Sequence, residues 1–302
     1  MKNYTYDELE QDYSPQRAER FAYIDFVLRF LGGLNRSDLL TYFGIGDAAA
    51  SKEISEYKTL RSENVDYDRV LRKNVILRST YKPLIDLDSE TALGMLANGF
   101  NKNKLYTKQR SMLTYCRIGA APSSLNVECV SKVTRAMHTQ TSVKCRYISG
   151  NSKNYSDRTL FPTAFFYDGQ SWMFRAYHQE DKEFKCFEFA RLASVLELDN
   201  VSAVASESIT ADEDWQLIVP LELSLHPGLS VSKKATLRKE FGLEEGEDSF
   251  VHMEKAVLVY YLKKHWKIDV ADEPAIEGNF KFHWRNGSSF NKLKCMENVF
   301  KY

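Results

Sequence analysis

The sequence lacks the cysteine and histidine patterns of a disulfide framework or a metal site. It has five cysteines, which are widely spaced and include no C-x-x-C pair. We therefore expect reduced thiols and a cytoplasmic protein. The six histidines are scattered and form no H-x-x-x-H pair, so no metal site is predicted.

Long hydrophobic runs and targeting signals are also missing. No stretch of 18 apolar residues occurs, so we predict no membrane-spanning helix. The N-terminal residues, MKNYTYDELEQDYS, are acidic and polar, which is not typical of a signal peptide. The sequence contains no nucleophile elbow, P-loop or suggestive carboxylate pair, so we predict neither an enzyme nor a bound cofactor.

The overall charge is balanced, but its distribution along the chain is uneven. The 302 residues include 41 basic and 41 acidic side chains, which gives a formal net charge of zero. Residues 101–146 hold nine Lys or Arg and one acid, whereas residues 240–254 are acidic. A basic first half suits a nucleic-acid partner, although a single charged run can equally be a solvated surface.

The glycines of TYFGIGDAAASKEISEY suit two different folds. The spacing Gly44-x-Gly46-x-x-Ala49 is close to the fingerprint of a dinucleotide-binding βαβ unit. That fingerprint needs a strand directly before its first glycine. The preceding NRSDLLTYF instead has a helix cap at Asn35 and helical spacing. The sequence therefore favours a helix-turn-helix over a cofactor site.

We predict three helices in this N-terminal region, at 16–31, 36–43 and 47–60. Gly32 and Gly33 end the first helix, Gly44 closes the second in a left-handed conformation, and Asp47 caps the third. Helix, glycine-containing turn and helix form the outline of a helix-turn-helix. A three-helix bundle that binds nothing has the same outline, so this pattern alone does not decide between them.

The following residues, NVDYDRVLRKNVILR, predict a hairpin with strands at 67–69 and 75–77 and a tip at 71–74. A hairpin beside the last helix is typical of a winged helix-turn-helix. Residues 1–80 hold twelve basic and thirteen acidic side chains, so a basic face has to come from their placement. The candidate DNA-binding residues are Ala49, Ser51, Lys52, Ser55 and Lys58 on the helix, and Arg69, Arg72, Lys73 and Asn74 on the wing.

The middle of the chain changes from helical to strand periodicity. Residues 124–140 predict a helix, and strands follow at 143–148, 161–167, 172–178 and 185–191. Asp168-Gly169 is a strong signal for a two-residue hairpin. Several short antiparallel strands after one helix predict a small Sm- or SH3-like β-barrel.

The segment FPTAFFYDGQSWMFRAYHQEDKEFKCFEFARLASV resembles a WYL domain. It has a proline early in an apolar strand, then Trp172-Met173-Phe174 in place of the W-Y-L triplet, and an Arg-aliphatic pair at Arg191-Leu192. The triplet is only one-third preserved. The resemblance implies a sensor for an anionic or nucleotide-like ligand. By position it implies the ligand-binding candidates Tyr147, Ser149, Arg158, Arg175, His178 and Arg191.

The resemblance extends to most of the chain. The helix-turn-helix and hairpin are similar to those of WYL regulators that control bacterial phage-defence operons of the BREX and CBASS type. The segments LHPGLSVSKKATLRKEFGL and KAVLVYYLKKHWKID resemble the C-terminal extension domain of these regulators. The resemblance implies a homodimeric transcriptional repressor that binds double-stranded DNA at an inverted repeat. Its DNA binding would be modulated through the WYL domain.

We therefore predict a multi-domain α+β protein. The expected domains are a winged helix-turn-helix at 1–82, a helical linker at 83–123, the WYL barrel at 124–200 and a small α+β C-terminal domain at 201–302. VLVYYLKKHW is more apolar than one helix face needs, which indicates burial or a dimer interface. The alternative function is an RNA-binding or protein-interaction module, because Sm-like barrels and basic stretches also suit RNA.

Overall fold

The structure, a computed structural model, describes residues 3–107, 113, 125–150, 156–274 and 279–300. Contacts within the chain divide it into two compact units, Met1–Val204 and Ala205–Tyr302, here called the first and second units. No helix among the described residues is long and apolar enough to cross a bilayer.

The first unit begins with four helices and a small sheet. The helices are α1 (Tyr6–Asp12), α2 (Pro15–Leu31), α3 (Arg36–Phe43) and α4 (Asp47–Leu60). The strands are β1 (Gly33–Leu34), β2 (Val65–Asp68) and β3 (Lys73–Ile76), in the order β1-β3-β2. Two helices followed by a hairpin that adds to a short strand form a winged helix-turn-helix, as predicted.

Local sequence explains where these helices begin and end. Gly32 ends α2 with φ of 84°, and Gly44 ends α3 with φ of 64°. The Asn35 backbone N–H donates to the Asp38 carboxylate, which satisfies a free donor at the start of α3. The cap of α4 is Gly46 rather than Asp47, because Asp47 already has helical geometry.

The N-terminal helix α1 was not predicted from the acidic composition of this segment. Thr5 and Glu8 form a reciprocal capping box at its start. Tyr6 and Leu9 point to one side and are completely buried in the core of the first unit. The Thr5-x-x-Glu8 pattern of this capping box is the local sequence signal for the start of α1.

The wing differs by a few residues from the predicted hairpin. Asp68 pairs with Lys73, so the tip consists of residues 69–72, whereas Lys73 and Asn74 lie within β3. The wing is anchored through β1, where Leu34 pairs with Asn74. After the wing, the chain forms α5 (Ser89–Asn98) and a short 3-10 turn at Lys102–Lys104. The rest of the predicted linker, 108–112 and 114–123, lies outside the described residues.

One helix and five strands complete the first unit. They are α6 (Val127–Thr139), β4 (Thr141–Tyr147), β5 (Ser156–Tyr167), β6 (Trp172–His178), β7 (Glu183–Glu188) and β8 (Leu192–Ser202). The antiparallel sheet has the order β7-β6-β5-β4-β8. A closed barrel is not confirmed, since β7 and β8 remain the two edges in the part of the chain that the structure describes. The predicted strand at 185–191 ends at Glu188, and Phe189–Arg191 is a 3-10 turn.

The second unit contains a four-stranded sheet with helices. In chain order it comprises α7 (Glu213–Gln216), β9 (Ile218–Leu225), α8 (Val231–Phe241), β10 (Ser249–Lys255), α9 (Val259–Trp266), β11 (Ile268–Asp269) and β12 (Phe282–Trp284). The sheet order is β10-β9-β12-β11.

Two details of the second unit differ from the sequence prediction. The helix expected from Lys255 starts only at Val259, and the residues before it form strand β10 and a 3-10 turn. Within VLVYYLKKHW, Val257 and Val259 are buried. Val259 belongs to the hydrophobic core of the second unit, and Tyr260, Leu262 and Trp266 pack against that core, so this segment is largely buried inside its own unit.

Candidate functional site

Helix α4 has one buried and one exposed side. Ala50 and Tyr57 are completely buried and Ile54 is 7% exposed, whereas Ala48, Lys52, Ser55 and Thr59 are exposed. The buried positions recur every three or four residues, which turns one stripe of the helix toward the core. The polar side of α4 is therefore bare, as the helix-turn-helix interpretation requires.

The bare side of α4 forms one wall of an open groove with a volume of about 680 Å³. The other walls are the N-terminal end of α3 and the wing. The lining residues are Asn35, Arg36, Ser37, Leu40, Asp47, Ser51, Ile54, Ser55, Lys58, Tyr67, Arg72 and Asn74. Five of the nine predicted DNA-binding residues, namely Ser51, Ser55, Lys58, Arg72 and Asn74, thus lie in one groove between the helix and the wing.

The other predicted DNA-binding residues lie around this groove or turn away from it. Ala49 and Lys52 are exposed on α4, and Arg69 is exposed at the wing tip. Lys73 points the other way, because it occupies the opposite face of β3 from Asn74. Its side chain passes over Gly33, where an added β-carbon would lie 3.1 Å from the Lys73 Cε atom.

Lys73 is also close to helix α6. Burial lowers the pKa of His138, which belongs to the last turn of α6, and the charge of Lys73 lowers that pKa further. The ammonium group of Lys73 therefore acts on the interior side of the wing, and we expect it to contribute less to a groove ligand than Arg72 does.

Arg36 is a groove residue that was not among the predicted DNA-binding residues. It occupies the first position of α3, is exposed, and its Nη1 lies 3.4 Å from the Ser51 Oγ atom on α4. The exposed side of α4 is poor in long hydrogen-bond donors, and the guanidinium of Arg36 supplies one. Its place at the start of the first helix of the motif could have identified it, since that helix lies against the DNA backbone in known complexes.

The charges of the groove partly offset one another. Lys58 Nζ lies 2.7 Å from Asp66 Oδ1 on the wing, and this hydrogen bond lowers the pKa of Asp66. Asp47 adds a carboxylate at the start of α4. Arg36 and Arg72 are consequently the main positive groups of the lining for a phosphate backbone.

Buried polar contacts hold α4 in place. The Tyr57 hydroxyl donates to Asp25 Oδ1 on α2 at 2.6 Å, and the Asn64 amide donates to the Tyr57 oxygen at 3.1 Å. Glu53 accepts from Arg20 at 2.8 Å. Burial raises the pKa of Asp25, and the hydrogen bond from Tyr57 opposes this shift. The exposed side of α4 is thus presented on a fixed scaffold.

Three of the predicted ligand-binding residues lie on one face of the WYL sheet. Cys145 pairs with Arg158, and Leu160 pairs with His178, so Tyr147, Arg158 and His178 share that face. The Arg158 guanidinium lies 5.0 Å from the Tyr147 ring centroid and 5.9 Å from that of Phe187. Cationic and aromatic groups are therefore combined there, a combination that suits a nucleotide-like anion.

His178 has one ring nitrogen without a hydrogen-bond partner among the described residues. Burial lowers its pKa, so the ring is neutral at physiological pH. Its Nδ1 lies 3.2 Å from the Asp181 backbone nitrogen and 3.0 Å from the Asp181 Oδ2 atom. The Nε2 atom is buried, and the carboxylate of Glu180 is 3.7 Å away, beyond hydrogen-bond distance.

The remaining ligand-binding candidates are placed differently. Arg175 is three residues before His178 on β6 and lies on the opposite face of the sheet, where its Nη1 is 3.7 Å from Cys186 Sγ. Arg191 is exposed and its Nε lies 2.8 Å from the Glu188 carboxylate. Its charge still acts on Tyr147, whose hydroxyl accepts from the Glu188 backbone N–H. Ser149 is half-buried, just after β4.

Comparison with protein families identifies both parts of the first unit. Residues 16–98 match the family described as BrxR transcriptional regulator winged helix-turn-helix domain. Residues 128–196 match the WYL domain family. The first match covers the groove with its helix and wing, and the second covers α6 and most of the five-stranded sheet.

The chain is also similar to proteins named DNA-binding transcriptional repressor CapW. It is 29% identical to those of Escherichia coli (strain KTE188) and Pseudomonas aeruginosa, with 80% of each chain covered in both comparisons. It is 28% identical to that of Stenotrophomonas maltophilia, over 85% of this chain and 86% of the relative.

A solved structure, the proteasome accessory factor B/C (PafBC) of Arthrobacter aurescens, is 13% identical over 86% of this chain and 44% of that chain, with a TM-score of 0.27. The two domain matches in this order, supported by relatives that span most of the chain, show that the protein belongs to the WYL-domain transcriptional regulators with a BrxR-type winged helix-turn-helix domain.

Proposed function

We propose that the protein is a DNA-binding transcriptional repressor that binds double-stranded DNA through the groove between α4 and the wing. The observation that carries the proposal is the convergence of the exposed side of α4, the start of α3 and the wing on one surface. The names of the relatives, which describe DNA-binding repressors, support it.

The proposed contacts divide into two kinds. Ala49, Ser51 and Ser55 would meet base edges in the major groove, since small and hydroxyl side chains allow α4 to approach closely. Lys52, Lys58, Arg69, Arg72 and Asn74 would meet phosphates or the adjacent minor groove. Arg36 joins the phosphate contacts, whereas Lys73 contributes mainly through its charge because its side chain turns away from the groove.

We further propose a homodimer that binds an inverted repeat. In the second unit, β10 is an edge strand, and Val251 and Met253 on its outer face are 59% and 57% exposed. Edge strands with apolar side chains are prone to pair with another chain. A second copy related by a two-fold axis would cover this surface, and such a dimer carries two winged helices for the two half-sites of an inverted repeat.

The dimer has a direct test. Molar mass measured by light scattering should correspond to two chains for the wild-type protein, and to one chain for the double variant Val251→Lys, Met253→Glu. The exposed Val231 on α8 offers a control, Val231→Lys, that should remain dimeric. A monomeric wild type, or a double variant that remains dimeric, contradicts this interface.

The WYL sheet is proposed to bind an anionic or nucleotide-like ligand that alters DNA affinity. The supporting observations are the Arg158 guanidinium over Tyr147 and the buried Nε2 atom of His178, which has no hydrogen-bond partner among the described residues. A phosphate group bound beside Arg158 and His178 would accept a charge-assisted hydrogen bond from the guanidinium. A screen of mononucleotides, dinucleotides and short oligonucleotides by thermal shift tests this, with Arg158→Ala expected to abolish any shift and Lys182→Ala, an exposed residue, expected to preserve it.

Because the chain resembles regulators of phage-defence operons, we propose that it controls a phage-defence operon that lies next to the gene of this protein. Gel shifts with duplex DNA from that upstream region, in parallel with single-stranded RNA, test the proposal. We expect duplex binding whose log affinity falls linearly with log salt. Preference for RNA, or no duplex binding at low salt, would contradict the repressor function and favour an RNA-binding module.

A further inference from the structure

The tip of the wing presents two adjacent apolar side chains to solvent. Val70 is 90% exposed and Leu71 is 65% exposed, although both are aliphatic. They occupy the centre of the four-residue tip between β2 and β3, and neither belongs to the hydrophobic core of the first unit. The wing packs on the core through Val65 and Ile76, which are buried at the other end of the hairpin. Val70 and Leu71 are therefore not needed for this packing.

The tip has a fixed conformation despite this exposure. Asp68 Oδ1 accepts from the backbone N–H groups of Val70 at 2.8 Å and Leu71 at 2.9 Å. Arg72 then adopts φ of 51°, which reverses the chain into β3. Two hydrogen bonds from one carboxylate pre-order the turn, so little conformational entropy remains to be lost when the tip meets a ligand.

The surroundings of the tip indicate what it would meet. Arg69 and Arg72 flank the apolar pair, and within the described part of the chain neither arginine forms an ion pair with a carboxylate. Arg72 also belongs to the lining of the groove beside α4. The apolar surface is therefore bracketed by positive charge and continuous with the proposed DNA-binding surface, which suits a polyanion with an apolar interior better than another protein surface.

We propose that Leu71, supported by Val70, is an apolar wedge that enters the minor groove next to the base pairs contacted by α4 and partly unstacks one base step. This inference rests on the proposed DNA-binding function. Arg69 and Arg72 hold the phosphates of the two strands on either side while the leucine side chain replaces base stacking with its own apolar contact. The duplex then bends away from the wing.

The wedge has a consequence for sequence specificity. Pyrimidine–purine steps such as TA unstack at the lowest cost, and A-tracts resist kinking. The protein should therefore prefer a TA or CA step under the wing tip without any hydrogen bond to its bases. This preference would be indirect readout, added to the direct contacts of α4.

The experiment uses the full-length protein and a duplex that the wild type selects from a random pool. Bending is measured by energy transfer between dyes at the two ends, and unstacking by the fluorescence of 2-aminopurine placed at successive steps. We expect wild type to bend the duplex and to brighten 2-aminopurine at one step. Leu71→Ala should lose both signals and bind about tenfold more weakly, in line with the loss of most of one leucine's apolar contact.

Leu71→Lys separates the wedge from general charge attraction. If the wing tip only contacted the DNA phosphate backbone, the added positive charge of Leu71→Lys would tighten binding. If Leu71 is a wedge, the variant should bind more weakly and bend the duplex less. The matched control is Val231→Ala, which removes an aliphatic side chain that is 84% exposed in the second unit and should change nothing. Replacing the selected TA or CA step by AA should reduce wild-type affinity but not that of Leu71→Ala.

The possible failures are distinguishable. A wild type that selects no duplex overturns the proposed function and the wedge with it. A wild type that binds duplex, together with a Leu71→Ala variant of unchanged affinity and bend, overturns the wedge alone. Loss of self-association in Leu71→Ala, with the bend per bound dimer unchanged, would assign the tip to an interface between copies and also overturn it.

Discussion

Arg135 and Glu197 form a buried two-point ion pair that joins α6 to β8. The Arg135 Nε and Nη2 atoms lie 3.0 and 2.6 Å from the two Glu197 carboxylate oxygens. Their side chains are only 5% and 7% exposed. Arg135 Nη1 also donates to the Arg29 carbonyl oxygen at 2.5 Å, in the last turn of α2. One guanidinium therefore links the WYL domain to the winged helix domain, and it neutralises the negative end of the α2 dipole.

We expect Glu197→Gln to destabilise the first unit by about 3–5 kcal/mol, because it leaves the Arg135 charge buried without its counterion. Arg78, whose Nε is 3.6 Å from the same carboxylate, would lose this contact as well. Chemical denaturation followed by tryptophan fluorescence measures the effect. The five-stranded sheet contains Trp172 and the second unit contains Trp215, Trp266 and Trp284, so the fluorescence reports on both units, and the transition that Glu197→Gln shifts is that of the first unit.

The control for this prediction removes both charges. Arg135→Met combined with Glu197→Leu eliminates the unpaired charge, so the double variant should be more stable than Glu197→Gln alone. A loss of less than about 1 kcal/mol in Glu197→Gln, the range of exposed pairs, would show that the pair is solvated in solution.

The turn of the helix-turn-helix depends on the backbone conformation of Gly44. Its φ of 64° is left-handed, and an added β-carbon would meet no atom within 4 Å. Gly44→Ala should therefore destabilise the protein by about 1–2 kcal/mol through backbone strain alone. Gly94 lies inside α5 with equally open surroundings, and Gly94→Ala should stabilise by about 0.5–1 kcal/mol. Thermal melts of the two variants measure these changes in stability. If Gly44→Ala and Gly94→Ala both stabilise or both destabilise the protein, this explanation is refuted.

The sequence predicts the winged helix well because its signals are local. Asn35, Gly44 and the apolar spacing of Ala50, Ile54 and Tyr57 lie within the elements they define, and the observed bounds of α3 and α4 match the predicted ones. Family resemblance added the WYL assignment, which is confirmed at 128–196. Neither the bounds of these helices nor the WYL assignment depends on contacts between residues that are distant in the sequence.

What the sequence did not predict depends on such distant contacts. Arg36 becomes a groove residue only when α3 and α4 pack together, and the separation of Arg175 from Tyr147 follows from strand register. The order β7-β6-β5-β4-β8 pairs the last strand with the first, a long-range pairing that alternation alone does not specify. The wing tip was misplaced because a two-residue shift of a hairpin preserves its alternating pattern.

Base contacts and phosphate contacts should differ in their salt dependence. Ser51→Ala removes a hydroxyl that faces the major groove in our proposal and should relax base preference by about 1 kcal/mol with little change of salt slope. Lys52→Ala should weaken binding to all duplexes alike and reduce the slope by about 0.9. Binding isotherms at several salt concentrations, with the exposed Lys239→Ala of the second unit as control, test both. If Ser51→Ala and Lys52→Ala change the salt dependence of binding equally, the assignment of Ser51 to a base contact and Lys52 to a phosphate contact is contradicted.

The stability of the first unit should decrease as pH falls below about 6.5, the pKa of an unperturbed histidine, partly because of His178. Burial lowers its pKa in the folded chain, so the unfolded chain binds a proton at a higher pH, and protonation favours unfolding. This stabilisation is complete at pH values above the pKa of His178 in the unfolded chain. It is lost as the pH falls through the pKa of His178 in the folded chain. His178→Gln should therefore flatten the dependence of unfolding free energy on pH between about 7.5 and 5, whereas His265→Gln, an exposed substitution, should not. An unchanged slope in His178→Gln would mean that the imidazole has the same pKa in the folded and the unfolded chain, and would contradict the effect of burial on this residue.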